Sequence, residues 1–365
     1  MKLSSLPYIV KKEILDHLSL NQIFFLSLCS KNTKNFIKQT QKCQFEKIER
    51  IEYSVNDRTM YIDIHMASGD YETVFNLFDA PLHYNDQIIK DLRNESIEEV
   101  RVNVLGTSID FYRSPVHRSD LHIKYCNCNV KSIIETIHNH LYELVGRPTK
   151  FWLSHSGSTT NFLPMLYNIQ VLDIFTGMYG CLFATTRVDE LLSKSTCLEY
   201  FLWNAMNEKI GKLENKSKIY QMDTVEVSSI CTLAKEVIKY FDGRHAFLKS
   251  SSIEADDIVQ FLTAWKSGET FRNLEVISME QCSGIPEIRR SVDFKELDTD
   301  VEYSFVRKFE IGYSLKPCQF KSNLYLVRES DGHVASVLLG TEVVFVGVWN
   351  MTESAFLEKF QPSSL

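Results

Sequence analysis

Residues 6–31 run LPYIVKKEILDHLSLNQIFFLSLCSK, and two helical periods are written into them. Leu6-Pro7 opens the first, with proline where a missing N–H costs nothing. Val10, Ile14 and Leu18 recur every four residues with Leu15 beside them, while Lys11, Lys12, Glu13 and Asp16 fall on other faces. That spacing predicts an amphipathic helix. Ser19 followed by Gln22 has the spacing of a capping box and starts the second helix. Its apolar residues Ile23, Phe24, Phe25, Leu26, Leu28 and Cys29 are interrupted only by Ser27, dense enough to need cover on more than one side. Ser30-Lys31-Asn32 breaks the pattern, and either Ser30 or Asn32 can cap a third short helix carrying Phe36 and Ile37. A three-helix unit of about forty residues is near the lower limit of independent stability, so it implies a partner, its own chain or another protein.

Outward from that head, 365 residues are too many for one ordinary domain and suit two domains or a fused repeat array. The 44% hydrophobic and 24% charged content fits a soluble globular protein with a substantial core. Plentiful Phe and Tyr with scarce Gly and Pro argue against long disordered tracts. Nine cysteines without framework spacing point to a reduced protein of the cytoplasm or nucleus. The short Ile23–Leu28 run, preceded by charges, is no signal peptide, and no run has membrane-spanning length. A net charge of −7 argues against a nucleic-acid-binding surface. Its distribution is uneven: residues 1–50 hold nine basic and four acidic side chains, the remainder 31 and 43. The basic head either meets an acidic partner or is lysine-rich for solubility alone.

Residues 51–66 alternate around Asn56-Asp57-Arg58 and predict a hairpin, with Ile51, Tyr53 and Val55 in its first strand and Met60, Ile62 and Ile64 in its second. Short strand-like runs then recur at Val100–Val102, Leu121–Ile123, Phe151–Leu153, Leu172–Ile174, Leu198–Phe201, Val225–Val227, Ala246–Leu248 and Leu274–Ile277. Their separation, roughly 20 to 30 residues, is that of leucine-rich-repeat units. Helical patterns intervene: Ile133, Ile134, Ile137 and Leu141; Ile230, Leu233, Val237, Ile238 and Phe241; and Ile258, Val259, Leu262 and Trp265, the last preceded by Ser251 or Ser252 and stopped by Gly268. Recurrent strand–helix units bury their apolar faces by stacking, which predicts an α/β solenoid, LRR-like but without the full asparagine-ladder consensus. An ordinary α/β sheet of irregular connectivity is the alternative. Near the end, Asn323–Val327 and Val334–Leu339 flank Asp331-Gly332, a hairpin signal, and Val343–Trp349 supplies another strand. These predict an antiparallel C-terminal cap.

The order Leu6-Pro7, Val10, Ile14, Leu18, Ile23, Leu26, then Leu28-Cys29-Ser30-Lys31 resembles an F-box. The resemblance implies that Leu6, Pro7, Val10, Ile14, Leu18, Ile23 and Leu26 insert into a Skp-type adaptor, which bridges to a cullin. Where many F-boxes carry an aromatic after the Cys-Ser-Lys stretch, Lys34 and Asn35 stand here, with Phe36 next to them. Without that resemblance, the same helices read as a small cap on the domain that follows. A second resemblance lies further on: residues 256–268 (DDIVQFLTAWKSG), then Leu274–Ile277 and the late Asp331-Gly332 turn, are similar to the F-box-associated domain of the F-box family expanded in nematodes. Together they imply an F-box over 1–48 and an LRR-like substrate-binding domain over 49–365.

Catalytic and metal motifs are thin. Cys126 and Cys128 would share a strand face that zinc can use, but His138 and His140, two apart on a helix, do not face each other. Buried cysteines and surface histidines are the plainer reading. There is no G-x-S-x-G, no catalytic-cysteine signature and no clustered glycine loop, and Arg289-Arg290 is an isolated basic pair. Tyr125, Phe151, Phe201 and Trp203 are candidates to line a binding face of the sheet, against the commoner fate of strand aromatics as core. The expectation is therefore the substrate-recognition subunit of an SCF-type (cullin-RING) E3 ubiquitin ligase, without catalysis, cofactor or metal of its own. Its rivals are a repeat-type protein-binding scaffold with no ubiquitin role and an enzyme with an unrecognised site.

Overall fold

The computed structural model describes residues 5–56, 59–79, 99–113, 121–125, 130–146, 149–156, 163–176, 185–205, 213–214, 216–229, 232–306 and 318–360. The chain divides into two compact units, Met1–Gln170 with Lys194–Cys197, and Val171–Ser193 with Leu198–Leu365. Position 48, where sequence puts the end of the helical head, lies inside the first unit.

In the first unit, α1 (Tyr8–Asp16), α2 (Leu20–Cys29), α3 (Lys31–Thr40) and the short α4 (Lys42–Phe45) precede β1 (Ile48–Val55), β2 (Thr59–Met66) and β3 (Tyr71–Asp79). Then come β4 (Glu99–Val104), β5 (Thr107–Arg113), β6 (Leu121–Tyr125), α5 (Val130–Val145) and β7 (Lys150–Ser156). The strands lie in the order β7-β1-β2-β3-β6-β5-β4, with β7–β1 and β3–β6 parallel and the other pairs antiparallel. The predicted hairpin forms, with Val55 opposite Met60, Tyr53 opposite Ile62 and Ile51 opposite Ile64. All six are buried, because a period of two places them on one face. The apolar stripe of α5, Ile133, Ile134, Ile137 and Leu141, is buried as well.

The second unit begins with β8 (Val171–Thr176), α6 (Thr185–Lys194), β9 (Tyr200–Ala205) and β10 (Thr224–Ser229). It continues with α7 (Leu233–Tyr240), β11 (His245–Lys249), α8 (Ala255–Ser267), β12 (Val276–Glu280) and α9 (Ile285–Ser291). Strands β8 to β12 pair in parallel and in chain order. Two buried ladders cross them in register: Leu172, Phe201, Val225, Ala246 and Ile277, and Ile174, Trp203, Val227, Leu248 and Met279. Fully burying one large apolar side chain is worth about 1.5–3 kcal/mol, so such ladders dominate the core. A meander of β13 (Lys295–Phe305), β14 (Cys318–Val327), β15 (His333–Leu339) and β16 (Val343–Thr352) follows, with α10 (Glu353–Phe360) behind it. β16 pairs antiparallel with β12, so the meander continues this unit's sheet.

Gly268 ends α8 in the left-handed region at φ +77°, as its position predicts. The cap that starts α8 is Glu254, boxed with Asp257, and not Ser251 or Ser252. Of the two candidates for α3, Ser30 is the cap, its hydroxyl accepting the Thr33 N–H at 3.1 Å. The surface role considered for strand aromatics is corrected: Phe151, Phe201 and Trp203 are fully buried. Period two tells which residues share a face but not which face is wet. The side chain of Tyr125, and Cys126 and Cys128, lie outside the described residues.

Candidate functional site

The site is the head of the first unit, and its logic starts with what α1 does not bury. Pro7 is the N-cap rather than the first helical residue, and its carbonyl accepts the Lys11 N–H at 3.0 Å. Of the nine residues of α1 only Leu15 is buried. Tyr8, Ile9 and Val10 in the first turn are 61%, 78% and 42% exposed. Leu6, Ile14, Leu18 and Leu26 are half-buried and Pro7 is exposed. Six of the seven residues that the resemblance assigns to docking thus keep accessible surface. The seventh, Ile23, is fully buried with Leu20, Phe24 and Leu28 on α2. Its side chain supports the head from inside and offers no surface as folded. Tyr8 and Ile9, outside the every-fourth-residue stripe, are the residues the periodicity did not flag. Their adjacency to Val10 in the sequence is the signal that was available.

A surface of this kind must be held rigidly, and polar contacts do that. Lys12 Nζ meets Asp16 Oδ2 at 2.7 Å, and Gln41 Nε2 donates to Asp16 Oδ1 at 2.8 Å. Lys12, with the Gln41 amide, holds the Asp16 carboxyl below the usual carboxylate range. At the start of α2, the Ser19/Gln22 capping box forms as its spacing predicts. Glu72 of β3 adds a second grip: its carboxylate accepts the Leu20 and Asn21 N–H groups at 3.2 and 3.0 Å. An anion at a helix N-terminus satisfies orphan donors and complements the helix dipole. Nothing in the sequence near α2 announces that contact.

Helix α2 packs on α3, β3 and β4, which is the many-sided cover its composition demands. Phe24 lies against Phe45 and Phe25 edge-on against Phe111, with ring centres 5.9 and 5.3 Å apart. Phe36, beside the position where many F-boxes carry an aromatic, meets Tyr8 edge-on at 5.7 Å, and Lys11 sits over it at 5.8 Å. From behind, α5 braces α3: Lys34 pairs with Glu143, and Lys38 Nζ donates to the Glu143 carbonyl at 2.6 Å.

Both histidines considered for metal are committed elsewhere. The buried Ser27 hydroxyl donates to the Phe24 carbonyl at 2.6 Å, so His140 Nε2, 2.7 Å away, donates to Ser27. His138 Nε2 donates to the Tyr167 carbonyl at 2.7 Å and its Nδ1 accepts from the Tyr53 hydroxyl at 2.8 Å. Burial pushes both imidazoles down to about 4. They are neutral struts that carry order from the sheet to the helical head. Among the described residues, no group of three or more His, Cys, Asp or Glu is placed to hold a metal ion.

Comparison with known proteins places an F-box domain at residues 3–44, the span of α1 to α3 and most of α4. No curated protein and no solved structure matches the chain.

Proposed function

We propose that this chain is the substrate-recognition subunit of an SCF-type (cullin-RING) E3 ubiquitin ligase, holding a Skp-type adaptor, and through it a cullin, with its F-box. The observation that carries the reading is the first turn of α1, where Tyr8, Ile9 and Val10 stand exposed in sequence beside Leu6 and Pro7 on a braced head. Three large apolar side chains exposed at consecutive positions form a patch awaiting a protein surface. Covering apolar area returns roughly 25 cal/mol per Å², so three side chains of this size support a specific contact once the head is preorganised.

The second unit, with its parallel strands in chain order, is the LRR-like module that captures a target protein. The segment similar to the nematode F-box-associated domain is its helix α8, and the Asp331-Gly332 turn joins β14 to β15. The chain contributes no catalysis. It raises the effective concentration of target lysines near the ligase's charged carrier, in the cytoplasm or nucleus where that machinery works.

Co-purification of the full chain with a Skp-type adaptor tests this. Wild type is expected to bind, and Ile9→Asp or Leu6→Ala/Pro7→Ala to abolish binding without changing the thermal midpoint. A folded wild type that captures no adaptor sinks the ubiquitin reading and leaves a repeat-type scaffold.

A further inference from the structure

The second unit contains a polar cavity of about 780 Å³ among the turn after α8, the β14–β15 turn and residues of β13 and β16. Two carboxylates line it, Glu275 and Asp331, and both are already spent. Asp331 accepts from Arg328 Nη2 at 2.7 Å and Nε at 2.9 Å. Glu275 accepts from Arg244 Nε at 3.0 Å and from His245 Nε2 at 3.1 Å. Arg328 is likewise exhausted. It is 3% exposed, its Nη1 reaches the Phe271 and Arg272 carbonyls at 3.4 and 3.3 Å, and its guanidinium lies over Trp265 at 5.3 Å. It forms a fixed wall.

Arg272 differs. It is exposed, its Nε donates to the Gly268 carbonyl at 3.2 Å, and among the described residues no carboxylate pairs with it. Three more donors line the same cavity. Arg328 Nη2 donates to His333 Nδ1 at 3.1 Å, which puts the imidazole proton on Nε2, and Ser330 and Asn350 are exposed. A guanidinium offering its two Nη groups, beside an imidazole N–H, a hydroxyl and an amide, is the donor set that planar or tetrahedral oxygens select.

We propose that this cavity binds an oxyanion carried by a partner polypeptide, a phosphoryl or carboxylate group, with Arg272 as its principal ligand and His333, Ser330 and Asn350 as further donors. It names the chemistry of the target that the proposed ligase subunit captures, and rests on that reading only for the biological role; the site itself stands whether or not the F-box holds an adaptor.

The test titrates the full chain at fixed ionic strength with three probes: acetyl-Ala-phosphoserine-Ala-amide, its glutamate counterpart, and inorganic phosphate. Saturable binding of at least one peptide, tighter than inorganic phosphate, is expected, and Arg272→Ala should weaken it about tenfold or more. Arg272→Lys, which keeps the charge and loses the fork, should fall between the two. Arg289→Ala, an exposed arginine paired with Glu296, should bind like wild type. Phosphoserine alone binding identifies a phosphorylated partner, and both peptides binding identifies an acidic one. Neither peptide binding, equal affinity for free phosphate, or undiminished binding by folded Arg272→Ala overturns the proposal. Adaptor capture, run in parallel, is expected to be unchanged in every Arg272 variant, so its failure in wild type strikes the ligase reading alone.

Discussion

The helical head and the parallel ladders of the second unit use the same residue types in opposite ways. Along β8 to β12 the apolar pairs Phe201 and Trp203, Val225 and Val227, and Leu248 with Met279 all point into a core. On α1 the apolar residues of the first turn point out, and polar contacts from Asp16, Gln41 and Glu72 hold the head instead. Burial makes the ladders stable without asking for a partner. The head trades some of that stability for a surface, and the Glu72 hydrogen bonds to α2 add to its own buried residues in tying it to the sheet. A mutation should therefore cost folding in one region and binding in the other.

The largest effect that can break this contrast is in a ladder. Trp203→Ala removes a fully buried indole and is expected to destabilise the second unit by about 3–5 kcal/mol, read as a shift in the urea midpoint. An effect under 1 kcal/mol would mean the ladder is not the core it is taken for. Within the head the contrast is sharper still, because Ile23 and Ile9 are the same residue type. Ile23→Ala should cost about 2–5 kcal/mol, and Ile9→Ala less than about 0.5. Adaptor capture should fail in Ile9→Asp at full stability, and in Ile23→Ala only in proportion to unfolding. Equal stability losses at the two positions would erase the distinction.

Much of this was legible in the chain, and the limits have physical causes. The β1–β2 hairpin could be read because alternation over Ile51–Ile64 shows which residues share a face. The parallel strands could be read as a recurring set because strands covered on both faces are short, continuous apolar runs. Which side of such a strand meets water is decided by what packs there, so one pattern fits Phe201 and Trp203 as anchors or as core, and packing makes them core. The head reversed the usual inference. Periodicity assigns a stripe such as Val10, Ile14 and Leu18 to a core, and here it is Leu15 that goes inside. The grip of Glu72 on α2 and the struts from His138 and His140 join residues far apart in sequence, beyond any local pattern.

Those struts predict a pH dependence of the first unit. Each imidazole sits at about 4 when folded against about 6.5 unfolded, so between those values the unfolded chain binds more protons. Stability is whole above pH 6.5, falls as pH drops from 6.5 towards 4, and levels off below, by about 3 kcal/mol for each histidine. His138→Gln and His140→Gln should each flatten the slope in that window. An unchanged slope would mean the imidazoles gain protons without losing their bonds.

The smallest effect concerns how far α3 stands on its own. The Ser30 cap is local, whereas Lys34 and Lys38 tie the same helix to Glu143 of α5. If the cap matters as it does in ordinary helices, Ser30→Ala costs about 1 kcal/mol and Ser30→Gly only a few tenths, since glycine leaves the helix end open to water. If the ties to α5 hold α3 regardless, both substitutions are silent in the denaturation midpoint, and Lys34→Ala in the Ser30→Ala background then costs more than the sum of the two alone. Either result assigns the stiffness of the head to its caps or to the sheet behind it. Only the second makes adaptor capture sensitive to the buried histidines, so capture by Ser30→Ala at pH 5 and pH 7 separates the two.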